Sequence, residues 1–285
     1  MNTQNDGILV TGSTGNLGRE VVARLDAYET PLRALVRDPG TARLPDGVAV
    51  ATGDLSAPGG LEDAVKGCGT VFLIWPFLTT EYAPAVLDVL TRHVRRVVYV
   101  SSSGVAEHTR RQSDPINQLH ADMEQLIASS GLEWTFLRAD TLASNARAWA
   151  GQIRSTRTVR GPDIAPTAVV HERDVAEVAA LALTGDGHAG ARHVLTGPQV
   201  LSRADLVRAV GEATGVPARF EPVSVEVARE RMLADGRPPA LVEALLAAAA
   251  DRPASGLVTS TVQDLTGAPA RTFRSWAEEY AYLFR

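Results

Sequence analysis

Lysine is almost missing from this chain. Lys66 is the single lysine among 28 basic residues, so the remaining positive charge is arginine and almost no position can supply an amine. Cysteine is as scarce. Cys68 alone cannot form an internal disulfide, which fits a reducing, cytoplasmic setting, and Gly67-Cys68-Gly69 reads as a turn carrying an incidental thiol. No apolar run reaches the roughly 18 residues of a membrane-crossing helix, so no membrane association is expected. Residues 1–6 show neither the basic flank nor the apolar stretch of an export signal. The net charge is −5 and no basic block stands out, which argues against nucleic acid as the main partner. The six histidines lack H-E-x-x-H or paired ligand spacing, so no metal is expected. There is no G-x-S-x-G elbow for a serine hydrolase, and no carboxylate pair suggests glycosidic chemistry.

What is present is an apolar fraction of 45% in 285 residues, enough for a sizeable core. Short apolar runs at 8–10, 32–36, 48–51, 70–74, 97–100 and 134–137 read as strands. Between them, helical spacing is read at 16–27, 61–65, 83–93 and 115–130, the last capped by Asp114 with Pro115 at its first position. This strict alternation calls for a Rossmann-type, doubly wound parallel sheet with helices on both faces, an α/β fold. The pattern then loosens. A helix is read around 145–154, a Pro/Gly loop up to 168, a strand at 169–170, a helix capped by Asp174 and a strand at 193–195. Ser202-Arg203-Ala204-Asp205 reads as a capping box opening a helix to 214, with further helices at 225–234, 238–250 and 271–283. The expected division is a dinucleotide-binding core over 1–140, with 169–196 returning to the sheet. Residues 141–168 and 197–285 form a small, helix-rich substrate-binding region, expected to cover the open end of the sheet.

The loop Thr11-Gly12-Ser13-Thr14-Gly15-Asn16-Leu17-Gly18 carries the chemistry. Glycines at 12, 15 and 18 lie between a strand and a helix, where backbone N–H groups and a helix N-terminus can hold a pyrophosphate. The other reading is a glycine-rich turn with no ligand. The residue ending the second strand decides the cofactor. An acid there accepts hydrogen bonds from the ribose 2′-OH of NAD(H), whereas an arginine suits the 2′-phosphate of NADP(H). Arg37 holds that position and favours NADP(H) over NAD(H), with Asp38-Pro39 read as opening a turn and Arg37 as plain solvated surface as the alternative.

The G-x-x-G-x-x-G spacing resembles that of the short-chain dehydrogenase/reductase superfamily, and within it the atypical NmrA-like group with its quinone-reductase-like members. The likeness continues through Leu35-Val36-Arg37-Asp38-Pro39, Gly53-Asp54-Leu55, Val98-Tyr99-Val100-Ser101-Ser102, the segment 130–138, Asn145 and His171-Glu172-Arg173-Asp174-Val175-Ala176. It implies that the loop residues Gly12 to Gly18 and Ser101 border the cofactor, that Asp54 and Leu55 lie beside the adenine, and that Trp75-Pro76-Phe77 lies towards the nicotinamide ribose. Trp75 is equally well read as core.

Typical members of that superfamily use a Tyr-x-x-x-Lys pair, in which lysine lowers the tyrosine pKa for proton exchange. This chain has no such pair; Asn117 and Ala121 fall where it would lie. His120 remains on that helix, sharing a face with Asn117, Ala121 and Glu124, as a proton donor or a plain surface histidine. Ser102 and Ser103 end a central strand and either orient a substrate oxygen or cap the strand. Hydride transfer to a quinone, enone or iminium-like acceptor needs less acid catalysis, because charge delocalises in the acceptor and positioning supplies much of the rate. The expectation is therefore an NADPH-dependent reductase of a small, apolar, conjugated substrate, monomeric or homodimeric. Trp149, Val223, Met232 and Leu233 are candidate pocket residues that also read as core. The alternatives are a non-catalytic NADP(H) sensor that binds a protein partner, and a redox-neutral isomerase with bound cofactor.

Overall fold

The computed structural model describes residues 7–251 and 256–285; the reading of residues 1–6 lies outside the described residues. The first elements alternate as the apolar pattern requires: β1 (Gly7–Val10), α1 (Asn16–Ala27), β2 (Leu32–Val36), β3 (Ala49–Thr52), α2 (Glu62–Val65) and β4 (Cys68–Leu73). They continue through α3 (Ala83–His93), β5 (Arg96–Ser102), α4 (Pro115–Ala128) and β6 (Glu133–Ala139). Next come α5 (Ala150–Thr156), β7 (Thr158–Gly161), α6 (Glu172–Thr184), β8 (Ala191–Leu195), α7 (Arg203–Thr214) and β9 (Arg219–Pro222). Four helices close the chain: α8 (Val225–Ala234), α9 (Pro239–Asp251), α10 (Thr261–Thr266) and α11 (Phe273–Glu279).

The main sheet has the order β3-β2-β1-β4-β5-β6-β8, and the pairings from β3 across to β6 are parallel. Side chains alternate across it. Leu9, Val71, Leu73, Val97, Tyr99 and Phe136 share one core with α2, α3 and α4. Their neighbours Ile8, Val10, Phe72 and Val98 are equally buried, and α1 packs on α6. Both faces are covered, which is why these strands read as continuous apolar runs rather than alternating ones. The order reverses between β1 and β4, and such switch points open a crevice at the carboxyl ends of the strands.

The chain divides into two compact units, residues 1–103, 119–139 and 172–194 against 104–118, 140–171 and 195–285. The second has its own core of Ile153, Val159, Leu206, Val210, Phe273 and Trp276, and its own two-stranded sheet, β7 parallel to β9. A smaller apolar cluster of Ala228, Val242 and Leu246 joins α8 to α9.

Several sequence expectations need correction. Residues 169–170 are not a strand; Val170 makes only an isolated bridge to Leu142. The Pro/Gly stretch before them contains β7, and neither β7 nor β9 shows in the sequence because each is only four residues long. The helix read at 145–154 is a 3-10 segment, Ala143–Trp149, running into α5. Cys68 is not in a turn: it opens β4, is buried, and has its thiol pKa pushed up by burial, so it stays protonated. Asp174 lies in the first turn of α6 rather than at its cap. The last helix stops at Glu279, followed by a 3-10 turn, Ala281–Phe284, and α10 was not anticipated.

The expected capping box is formed. Ser202 Oγ accepts from Asp205 N–H at 3.1 Å and Asp205 Oδ2 accepts from Ser202 N–H at 3.0 Å, so the two end groups of α7 satisfy each other. Because α7 carries Leu206, Val207 and Val210 into the second unit's core, Ser202→Ala is expected to lower stability by about 1 kcal/mol. Urea unfolding checks this as a reduced midpoint with an unchanged slope.

Candidate functional site

The glycine loop closes at the switch point through contacts that exclude side chains. Gly12 has φ +61°, a conformation that favours glycine, and a Cβ there would also sit 3.1 Å from Ile74. A Cβ on Gly18 would lie 2.1 Å from the Gly12 carbonyl oxygen, an impossible distance. Gly15 N–H donates to that same carbonyl at 2.9 Å. Thr11 ties the loop to the end of β4: its Oγ1 accepts from Ile74 N–H at 2.8 Å and donates to Ile74 O at 3.2 Å. Gly15 is the N-cap of α1, without a side-chain cap and with no acid in the first turn. By contrast, α7, α8 and α11 are capped by Ser202, Ser224 and Thr272. A backbone cradle in front of an uncapped helix N-terminus is suited to a phosphate group.

Within the loop the residues divide by exposure. Gly12, Thr14, Gly15 and Asn16 are exposed. Ser13 is fully buried and its Oγ donates to Leu35 O at 2.9 Å, while Leu17 belongs to the core. The side chains of Ser13 and Leu17 therefore hold the loop from behind. At the end of β2, Arg37 is exposed, and its guanidinium makes no hydrogen bond or ion pair among the described residues. The neighbouring Asp38 is turned into its own turn, accepting from Gly40 N–H at 2.9 Å and Thr41 Oγ1 at 3.2 Å. The acid that would bind a ribose 2′-OH is thus engaged elsewhere, and next to it lies the exposed Arg37, whose charge also acts on Asp54.

Asp54 and Leu55 follow β3. Asp54 Oδ1 accepts from the backbone N–H and the hydroxyl of Ser56, both at 2.8 Å, and these bonds hold its carboxyl below the usual range. Leu55 is core. Trp75 is buried with its Nε1 donating to Thr79 O at 2.9 Å, and its ring meets Phe77 edge-on at 5.1 Å.

At the ends of β5 and α4 lies a polar cluster only partly visible in the sequence. Ser101 is buried and donates to Glu124 Oε1 at 2.6 Å. Arg138 grips the same carboxylate through both its oxygens, at 2.9 and 2.7 Å, and both partners are buried. Ser101 is thus a structural anchor on its side-chain side. Tyr99, two residues earlier on the same face of β5, places its hydroxyl 2.8 Å from His120 Nδ1. Burial, reinforced by the charge of Glu124, pushes the Tyr99 pKa well up, so the phenol stays neutral. When it donates to Nδ1, a neutral His120 carries its proton on Nε2. Ser103 is half-buried, and its hydroxyl has no partner among the described residues. Tyr99, Glu124 and Arg138 were missed as a group. An arginine inside the apolar run Trp134-Thr135-Phe136-Leu137 and its continuation was the available signal.

No tyrosine of the sequence is followed by a lysine four residues on. Asn117, at the tyrosine position, is buried and bonds Asp114, which in turn accepts from Ile116 and Asn117 N–H groups at 2.9 Å. Lys66 pairs with Asp63 at 2.6 Å before the start of β4, the end of the parallel sheet opposite to the glycine loop.

The second unit contains a cavity of about 430 Å³, a size typical of small-molecule sites. Trp149 and Met232 line it, as anticipated; Val223 and Leu233 do not, Val223 packing on the α8–α9 cluster and Leu233 being exposed. Four arginines also line it, 160, 203, 231 and 237. No group of three or more potential metal ligands occurs among the described residues, and no helix there is long and apolar enough to cross a membrane.

Comparison with known proteins agrees with this geometry. The family described as NAD(P)H-binding matches residues 12–186. A (4-alkanoyl-5-oxo-2,5-dihydrofuran-3-yl)methyl phosphate reductase from Streptomyces griseus is 38% identical over 283 residues, covering 97% of this chain and 99% of that protein. An NAD(P)H azoreductase from Xenophilus azovorans is 34% identical, covering 97% and 99%. Among solved structures, an NADPH-dependent quinone oxidoreductase from Escherichia coli, in complex with NADPH, superposes with a TM-score of 0.78 at 22% identity, covering 96% and 99%.

The tight loop yields a direct test. Gly18→Ala forces a methyl group into the Gly12 carbonyl, at a cost of about 2 kcal/mol. Its thermal midpoint is expected to fall by several degrees, and dinucleotide binding, followed by calorimetry, is expected to be lost.

Proposed function

The chain belongs to the NAD(P)H-binding family and is an oxidoreductase, and from that premise we propose that it is an NADPH-dependent reductase of small conjugated substrates working without a Tyr-x-x-x-Lys pair. The observation that carries the proposal is the uncapped N-terminus of α1 behind the glycine cradle, with Arg37 exposed and unpaired at the end of β2. The cradle suits the pyrophosphate and Arg37 the 2′-phosphate, where guanidinium can donate two parallel hydrogen bonds.

When bound, NADPH supplies the hydride equivalent. The protein's own groups are then asked for orientation and one proton. Ser103 offers a hydroxyl to a substrate oxygen at the end of β5, and His120, whose Nδ1 lies 2.8 Å from the Tyr99 hydroxyl, is the candidate proton donor. Tyr99 itself is a positioning residue, since its neutral, buried phenol holds the imidazole ring. A conjugated acceptor fits this modest apparatus, because charge spreads through the acceptor before protonation. The Streptomyces griseus relative, named as a reductase of an oxo-dihydrofuran, and the azoreductase support the same substrate class.

The test is to mix purified protein and NADPH with a panel of quinones and enones and to follow cofactor absorbance. Turnover is expected with at least one acceptor; tight NADPH binding without turnover across the panel would favour the sensor. Arg37→Asp is expected to weaken NADPH binding roughly tenfold or more, with NADH binding little changed. Equal losses for both cofactors would remove Arg37 from the 2′-phosphate role.

A further inference from the structure

The cavity of the second unit does not have the lining expected for a purely apolar substrate. Its walls include Trp149, Val159, Leu206, Met232, Leu245 and Phe273, but four arginines, of which Arg231 is exposed, line it as well, against one lining carboxylate, Asp235, with the charge of Asp163 acting on Arg203. These cations are not equivalent. Arg160, on β7, is 3.0 Å from Glu221 on β9 and already has a counter-ion. Arg203, at the start of α7, donates to Pro162 O at 2.8 Å and fills the space over Gly161, so it serves the fold; it has no ion pair among the described residues. Arg231 on α8 and Arg237 after it make no side-chain hydrogen bond or ion pair among the described residues. Glu221 senses this arrangement: its carboxyl is held below the usual range first by its hydrogen bond to Arg160 and then by the charges of Arg160, Arg219 and Arg231. Arg160 and Arg231 therefore lie in one electropositive corner.

Unpaired guanidiniums beside an apolar hollow are poorly used by a neutral ligand. They gain most from an oxyanion, which accepts charge-assisted hydrogen bonds from a planar fork, while the apolar wall gains from a chain or ring removed from water. We propose that this cavity binds an amphiphilic anion, an apolar body carrying a phosphate or carboxylate head that Arg231 and Arg237 neutralise.

The test uses the full chain saturated with NADP⁺, so that the phosphate site of the glycine loop is not available to the probe. Octyl phosphate, octanoate, octanol and inorganic phosphate are titrated by calorimetry. One or both anionic amphiphiles are expected to bind more tightly than octanol and than inorganic phosphate, with affinity falling as salt rises. Arg231→Met and Arg237→Met are each expected to weaken their binding roughly tenfold while leaving octanol binding and the thermal midpoint unchanged. Glu221→Gln, which releases Arg160, is expected to tighten it. Octanol binding as tightly as both anions, inorganic phosphate binding as tightly as octyl phosphate, or both arginine variants binding the anions at full affinity would overturn the proposal. Its failure is distinguishable from that of the reductase reading, because the titration needs no turnover: binding without NADPH oxidation on any acceptor sinks only the latter.

Discussion

Gly18 brings its α-carbon so close to the Gly12 carbonyl that no side chain fits between them, and this contact sets where α1 begins. From it follow the turn at Gly12, the position of Gly15 as a bare N-cap, and the exposure of the backbone at residues 12 and 14–16. Ser13 and Thr11 fasten the loop to β2 and β4. The helix dipole and the cradle are then aimed at the crevice between β1 and β4, where the strand order reverses. The cradle's suitability for a phosphate is a matter of backbone geometry, and the side chains' main task is to hold that geometry.

The same division between holding and acting runs through the polar residues of β5 and α4. Glu124, Arg138 and Ser101 form a buried, mutually bonded set, so they do not offer free groups to a ligand. A buried pair of this kind is costly to break, because losing one partner strands the other's charge. It anchors α4 on the sheet and thereby places His120 against Tyr99. The candidates for chemistry are then few: the His120 imidazole and the Ser103 hydroxyl.

Much of this was legible in the sequence where a local rule governs. The strands of the main sheet, the helix at 16–27 and the capping box at Ser202 depend on apolar period, on glycine and on cap residues, all of which are local. Arg37 was legible because its place at a strand end has a chemical meaning. The failures share another cause. Residues 169–170 looked like a strand because two valines are apolar, yet their neighbours in space allow only a bridge. The strands β7 and β9 are four residues each and exist because they pair with one another across nearly sixty residues of chain. Ser13, Leu17 and Trp75 were read by position in a motif; the structure adds that all three side chains are buried, since which way a side chain points is decided by packing.

The shortage of lysine has two structural consequences. It removes the cation that would activate a tyrosine, and the one lysine present sits at the wrong end of the sheet. It also makes guanidinium the chain's general means of holding an anion, since arginine keeps its charge when partly buried and presents a planar fork where lysine presents a point. Arg37 at the end of β2 and Arg231 with Arg237 lining the second unit's cavity are the places where that chemistry is proposed. A reductase with little acid catalysis depends on how well its substrate is held. An anionic head held by arginine forks, as proposed for the second unit's cavity, is fixed in direction as well as in charge.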